Sequence, residues 1–306
     1  FDLDARDEFD STPLMDAAEH GAVACFRLLL EAGANTEGTD HVGDSLIEKA
    51  SHPEIVAILI QRGDDPGRLS TSVLRDYIGL GTIERLDVSE AEYRAGRVRV
   101  FGSMNPERMA KPFWEAMVKC GWAAYTADEQ FGGRRDGADP TWCHARYGMS
   151  LTPLPDGRFV QIAGEHEDSY DPDFCIYNDV IVHDGKGGFT IYGYPKAVFP
   201  PTDFHTATLV GEWIYVIGNL GYAGESGTHA QVFRLNTTSF EIERVQTTGE
   251  DPGWLSRHSA ALDGGRVVVT GGKVVLPSDG DYVDQVGQFE FDLGTHGWSR
   301  IGTSER

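Results

Sequence analysis

The sequence predicts an α+β multidomain fold: helical repeats, then a helical bridge, then a series of four-stranded β units. Three observations predict it. A helix–turn–helix pattern occurs twice within the first seventy residues. An apolar strand ending in glycine recurs three times near the other end, with Gly164, Gly218 and Gly271 lying 54 and 53 residues apart. Between these regions, short aromatic stripes are bounded by Pro and Gly. The expected boundaries are 1–69, 70–140 and 141–306.

In the first helical pair, Ser11-Thr12-Pro13-Leu14 opens a helix. Thr12 caps it, and Pro13 occupies the first turn, where a missing N–H costs nothing. Leu14, Ala17 and Ala18 form a narrow apolar face that admits a second helix, about Ala22–Glu31, presenting Phe26, Leu29 and Leu30 and stopping at Gly33. The second copy runs through Asp44–Ala50 and Pro53–Gln61 to Arg62-Gly63-Asp64-Asp65. Thr12-Pro13-Leu14-Met15-Asp16-Ala17 and Ala32-Gly33-Ala34-Asn35 resemble the opening and exit of an ankyrin repeat, with Met15 where that family has His. The resemblance implies a partner-binding surface. Two such repeats bury their faces only on neighbours, so a third helical layer or the rest of the chain must cover them.

The bridge supplies candidates for that layer. Asn105-Pro106-Glu107 predicts the start of a short helix. Pro112 begins another, with Phe113, Trp114, Met117 and Val118 on one stripe and a stop at Gly121. Tyr125 and Phe131 mark a third before Gly132-Gly133.

In the last region, Arg158–Gly164 aligns with Glu212–Gly218 and Gly265–Gly272, each preceded by a hairpin turn. Strands are expected after each, at Tyr177–Asp184, Gln231–Asn236 and Gln288–Asp292, and again at Phe189–Tyr192, Phe240–Val245 and Trp298–Ile301. Four strands per unit of about 50 residues, the Gly271-Gly272 doublet, and Arg257-His258-Ser259 before a hairpin resemble kelch repeats. That resemblance implies β-propeller blades. Three blades are fewer than a closed propeller uses, which leaves an open edge for a possible homo-oligomer. The whole-chain pattern resembles bacterial ankyrin-repeat proteins and implies no activity.

The 306 residues carry a formal charge of −22. Residues 1–96 hold 20 acidic and 8 basic side chains, 97–140 hold 6 and 7, and 141–306 hold 22 and 11. Two acidic flanks repel phosphate backbones, so no nucleic-acid partner is expected. Apolar runs such as Ile55–Ile60 are too short to cross a bilayer, so no membrane partner is expected either. Cys25, Cys120, Cys143 and Cys175 show no paired spacing, and the sequence opens without a basic stretch followed by an apolar one, so a cytoplasmic location is expected.

The richest polar stretch is Glu165-His166-Glu167-Asp168 through Asp173. Glu165, His166, Asp168, Asp203, His205, Arg257 and His258 are the candidate ligand-binding residues, since their loops fall at the same end of each unit. Asp168, Asp171 and Asp173 are the weaker candidates for a divalent cation, Ca²⁺ or Mg²⁺, because hard oxygen ligands suit these ions. His205 and His258 hold equivalent positions, with Ser150 expected in the first unit. Cys143, His144 and Tyr147 invite comparison with the copper site of galactose-oxidase-like kelch enzymes, although His at a blade position is more often structural. No catalytic residues are assigned and no cofactor is otherwise expected. The leading expectation is a protein-binding scaffold with a protein partner. The alternative is a small-ligand-binding or enzymatic propeller of isomerase, lyase or sugar-binding type.

Overall fold

The computed structural model describes residues 2–62, 64, 66–81, 85–133, 139–168, 171–222, 224–275 and 281–303, with the backbone alone at 167–168, 171–173 and 303. The chain divides into two compact units, Phe1–Thr82 with Gly185–Gly187, and Ile83–Asp184 with Gly188–Arg306. Among the described residues no helix is long and apolar enough to cross a membrane. No disulfide joins the cysteines, of which Cys25 alone is exposed.

The first unit is helical: α1 (Pro13–Glu19), α2 (Val23–Glu31), α3 (Leu46–Lys49), α4 (Pro53–Gln61) and α5 (Thr71–Tyr77). The Thr12 hydroxyl accepts the Met15 N–H at 3.3 Å, as its position before Pro13 dictates. Helix α1 packs on α2 and α3, α2 on α4, and α4 on α5. Leu14, Ala18, Phe26, Ile55, Val56 and Leu59 are fully buried there. Helix α5 is a third layer of the kind two repeats require, although the sequence had assigned residues 70–77 to the bridge. The second copy is shorter than expected: of Asp44–Ala50, only Leu46–Lys49 is helical, begun by a Ser45–Glu48 capping box.

Asp40 organises the turn before that helix. Its carboxylate accepts the N–H groups of Val42 and Asp44 at 3.0 and 2.9 Å and lies 2.7 Å from the Lys49 ammonium. The Lys49 hydrogen bond, assisted by those two N–H groups, holds its pKa down at about 2.

The second unit begins with α6 (Glu90–Gly96), α7 (Pro112–Cys120) and α8 (Ala124–Gln130). Gly121 stops α7 in the left-handed region, as the sequence predicted. The helix expected at Asn105-Pro106-Glu107 does not form. The Asn105 side chain instead exchanges hydrogen bonds with the backbone of Ile242, and Glu107–Arg108 pairs with Gly193 and Tyr192 at a sheet edge. An amide spent on a distant strand cannot cap a local helix.

Three antiparallel meanders follow. The first sheet comprises Ser150–Pro153, Phe159–Ile162, Val180–His183 and Phe189–Gly193, extended by Glu107–Arg108. The second comprises Thr206–Val210, Trp213–Ile217, Val232–Asn236 and Ile242–Arg244. The third comprises Ser259–Asp263, Arg266–Thr270, Gly287–Asp292 and Gly297–Thr303, extended by a parallel Thr248–Gly249. Glu165–Asp168 pairs with Asp171–Ile176, and Leu255–Ser256, Lys273–Val275 and Tyr282–Asp284 form a small third-sheet appendage. None of these sheets closes into a barrel.

The first strand of the second sheet lies beside the first strands of both others. Val160, Ile162, Val180 and Val182 of the first sheet pack with Ile214, Val216, Phe233 and Leu235 of the second. The second sheet's other face, with Tyr215, Ile217 and Val232, packs with Val267, Val269, Phe289 and Phe291 of the third. Strand alternation makes these two seams possible, because successive side chains point to opposite faces. Beyond the third sheet the alternation turns polar: Arg266 pairs with Glu290 at 3.0 Å and with Asp292 at 3.7 Å, and Ser299 donates to Glu290 at 3.0 Å.

The strand pairing corrects the alignment between units. Ser150, Thr206 and Ser259 each pair with the last residue of the following strand, Ile162, Ile217 and Thr270. Met149, not Ser150, is therefore the counterpart of His205 and His258. The cause is turn length. Leu154 and Arg158 enclose three turn residues in the first hairpin, whereas Val210–Trp213 and Asp263–Arg266 enclose two. Counting back from the turn thus shifts the first unit by one. The doublet after the second strand is Ala163-Gly164 in the first sheet and Gly271-Gly272 in the third, all four with positive φ. Gly218 fills the first doublet position of the second sheet at φ 86°.

A Cβ on Gly218 would lie 2.6 Å from the Leu255 carbonyl and 2.7 Å from His258 Cε1. Gly218→Ala therefore combines left-handed strain with overpacking at a seam between sheets. It is expected to lower unfolding free energy by about 2–4 kcal/mol, read as a lower urea midpoint. A change within about 0.5 kcal/mol would show that this contact does not constrain the seam.

Candidate functional site

At the start of the first sheet, two charges are buried together. The Arg146 guanidinium contacts both Asp179 oxygens, one of them by Nη2 at 3.1 Å, and donates to the carbonyls of Cys143 at 2.8 Å and Ala163 at 3.1 Å. Trp142 Nε1 donates to Asp179 Oδ2 at 2.8 Å. The guanidinium lies 3.6 Å from the Tyr177 ring centroid and 5.0 Å from that of Trp142, which stacks on Trp114 of α7 at 4.8 Å. Buried charge is tolerated only when its donors and acceptors are matched, and the planar Arg fork meets that condition here. The sequence reading missed Arg146 and treated Asp179 only as part of a strand motif. The available signal was Arg146 among Trp142, Cys143 and Tyr147, just before a buried strand.

The histidines singled out from the sequence lie in the seams. His205 Nε2 is 2.8 Å from the Ser150 hydroxyl, and His258 Nε2 is 2.8 Å from the Thr206 hydroxyl. The second and third sheets thus each give an imidazole to the first strand of the sheet before. Both rings are buried, which lowers both pKa values to about 3, with the nearby His205 contributing further at His258. The partners in both cases are side-chain hydroxyls.

Asp203 is fully buried. Its Oδ1 accepts the Gly221 N–H at 2.7 Å, and its N–H donates to Asn219 Oδ1 at 3.0 Å. Burial pushes its carboxyl up, opposed by the Gly221 N–H and by Arg257. Arg257 is exposed and rests on the Phe204 ring at 3.4 Å, while its N–H donates to the Phe204 carbonyl at 2.8 Å. Glu165 pairs by backbone with Tyr147, and His166 is buried opposite Cys175. Of the candidates, Arg257 lies on the Phe204 ring, while the side chains of Asp203, His205 and His258 meet separate partners, Gly221, Ser150 and Thr206. The side chains of Asp168, Asp171 and Asp173, and with them the candidate cation site, lie outside the described residues. Among the described residues no group of three or more His, Cys, Asp or Glu is arranged to hold a metal. Cys143 and His144 are buried but the Tyr147 side chain is exposed, so these three do not share a centre.

Two of the cavities on this unit are bordered by residues other than the seven candidates. One, about 350 Å³, is bordered by His229, Arg244, Val245, Thr247, Thr248 and Asp251. The other, about 210 Å³, is bordered by Arg99, Phe174, Cys175 and Tyr222. In the second, Arg99 donates to the Tyr222 hydroxyl at 3.2 Å, and Phe174 meets the Tyr222 ring edge-on at 5.5 Å.

Comparison with known proteins bears on the first unit. Residues 9–41 are an ankyrin repeat. That span runs from Phe9 through α1 and α2 to His41. No curated protein matches the chain. Among solved structures 114 chains match, one of them described as "Structure of YjhT". It is 17% identical over 52% of this chain and 52% of its own, with a TM-score of 0.35. The alignment thus spans about half of that chain.

Removing one member of the Arg146–Asp179 pair strands the other. Arg146→Met or Asp179→Leu alone is expected to cost about 3–5 kcal/mol, and the double substitution less than the sum. Equilibrium denaturation of all three variants measures this, and strict additivity would show that the charges are not coupled.

The seam histidines link stability to acid. Their folded pKa lies below the unfolded value of 6.5. The unfolded chain therefore binds protons first, and stability falls as pH drops from 6.5 towards 3. Between pH 7.5 and 5, each is expected to remove about 2 kcal/mol. Asp203, whose pKa is raised, acts with the opposite sign from 3.8 upwards. His258→Gln should reduce the loss between pH 7.5 and 5 by about 2 kcal/mol, and an unchanged pH slope would refute the assignment.

Proposed function

We propose that this protein is a recognition scaffold that docks a basic protein partner through the tips of its ankyrin repeat. An ankyrin repeat supports protein–protein interaction in general; the exposed tip at Phe9 and Val42 carries the specific reading. Phe9 is 53% and Val42 65% exposed. Their turns are clipped together: Arg6 donates to the carbonyls of Asp10 and Thr39 at 2.7 and 2.8 Å, and the His41 N–H donates to the Phe9 carbonyl at 3.0 Å. The His41 ring also lies 5.4 Å from the Phe9 ring. Two apolar side chains held out on braced turns lose little entropy on binding. Asp7, Glu8, Asp10 and Asp44 surround them in sequence, which favours a partner with Lys or Arg at its rim.

We read the three meanders as kelch-type blades forming a second recognition surface. Support comes from their shared register, the left-handed residue directly after each second strand (Ala163, Gly218 and Gly271) and the imidazole–hydroxyl rungs. The polar far face of the third sheet suits a terminal unit, because a repeat stack ends in a polar cap. Self-association by stacking on that face is accordingly disfavoured. The rival reading, a small-ligand or enzymatic propeller using Asp203, His205, Arg257 and His258, draws support from the unpartnered Asp203 Oδ2. It is weakened because both histidines are engaged in the seams.

Phe9→Ser combined with Val42→Ser should leave the melting temperature unchanged. It should weaken binding of any protein captured by the wild-type chain at least tenfold, and wild-type binding should weaken further between about 50 and 300 mM salt as charges are screened. A partner that binds the double variant equally well would remove the ankyrin tip from the interface.

A further inference from the structure

The smaller cavity is built where three segments of the second unit meet. The stretch after α6 runs beside 139–141: Val98 bridges Thr141, and Arg97 donates to the Asp139 carbonyl at 2.8 Å. Val98, Arg99, Asp139 and Pro140 therefore border the cavity together. Phe174 and Cys175, near the end of the strand Asp171–Ile176, and Tyr222, between the second and third strands of the second sheet, complete the border. The segments are joined at the Ile176 peptide. Its N–H donates to the Tyr222 hydroxyl oxygen at 2.8 Å, and its carbonyl accepts from Arg99 Nη1. Arg99 Nη1 also donates to the Tyr222 oxygen at 3.2 Å. Both Nη1 hydrogens are thus used, and both acceptor positions of the Tyr222 oxygen are filled. Only donors remain: the Nε–Nη2 edge of Arg99 and the Tyr222 O–H, neither with an acceptor among the described residues. Burial raises the pKa of the Tyr222 hydroxyl and of the Cys175 thiol, so both keep their protons at neutral pH.

The two donor groups are held side by side, because the Nη1–Tyr222 hydrogen bond fixes one against the other. The Arg99 guanidinium also rests over the Phe101 ring, 4.6 Å from its centroid, which sets the plane of the fork. A guanidinium edge takes both oxygens of a carboxylate, and a neighbouring phenol donates a further bond. Asp139 borders the cavity too, but it is exposed, where solvent and salt screen its charge. The apolar part of the site has its own geometry. Phe174 meets Tyr222 at 83°, so the two rings make a right-angled corner. A flat ring fits such a corner with its face to one wall and its edge to the other. Phe174 is 38% exposed although Cys175 and Ile176 beside it are buried, so this wall stands open to a ligand. At about 210 Å³ the cavity lies below the roughly 300–1,000 Å³ of sites for drug-sized ligands, which limits the ligand to a single ring with its acid group. The sequence reading passed over Arg99 and Tyr222, which lie 123 positions apart and meet only in the fold.

We propose that this cavity binds a small aromatic carboxylate, with the carboxylate on Arg99 and Tyr222 and the ring in the corner of Phe174 and Tyr222. The site shares no residue with the ankyrin tip, so failure of either reading leaves the other standing. Titrations of benzoate, benzyl alcohol and acetate into the full chain at constant pH and ionic strength, followed by amide NMR shifts, test it. Benzoate should give saturable shifts at Arg99, Cys175 and Tyr222. Benzyl alcohol, which lacks the charge, and acetate, which lacks the ring, should each bind at least tenfold more weakly. Arg99→Gln should weaken benzoate at least tenfold. Phe174→Ala should melt with the wild type and weaken benzoate about fivefold while leaving acetate within about twofold. Should Arg99→Gln melt early, the ligand series and Phe174→Ala decide the matter without it. Absence of saturable benzoate shifts, equal binding of benzyl alcohol, or unchanged benzoate binding by Phe174→Ala would each overturn the assignment.

Discussion

The Arg146–Asp179 pair is the constraint on which the rest of the second unit depends. It joins the segment leading into the first sheet to the residue that precedes the sheet's third strand. Through Trp142 and Trp114 it also attaches α7 to that sheet. An isolated charge buried here would cost more than any local hydrogen bond returns, so the whole network forms together or not at all. The first sheet is thereby anchored to the helices, and the second and third sheets stack outward from it.

Stacking then proceeds by a repeated device. An imidazole from the start of one sheet meets a hydroxyl on the first strand of the sheet before it, at Ser150–His205 and Thr206–His258. Around these rungs the seams are apolar, which is why the imidazoles stay neutral and the bonds are not exchanged for water. The first sheet has Met149 at the imidazole position, in keeping with its different neighbours. The third ends in Arg266, Glu290 and Asp292, which water and ion pairing satisfy without another sheet. Exposed pairs of this kind add little stability. Their consequence is that the face does not seek apolar cover.

The ankyrin tip offers apolar side chains braced by backbone hydrogen bonds and set in an acidic field.

The sequence by itself determined the local elements. Thr12-Pro13, Gly121 and the hairpin glycines have conformational meaning at short range, so helix starts, stops and strand pairs were legible without contacts. The ankyrin repeat at 9–41 was legible for the same reason. Asn105-Pro106 misled because a distant backbone, Ile242, competed for the Asn side chain. Ser150 was matched to His205 because one extra turn residue is invisible to an alignment anchored on the turn. Pairings such as Arg146–Asp179 and Arg99–Tyr222 were decided only by the tertiary structure. They join residues separated by whole strands, and which side chains meet depends on register and turn length, where a shift of one residue turns every side chain to the opposite face.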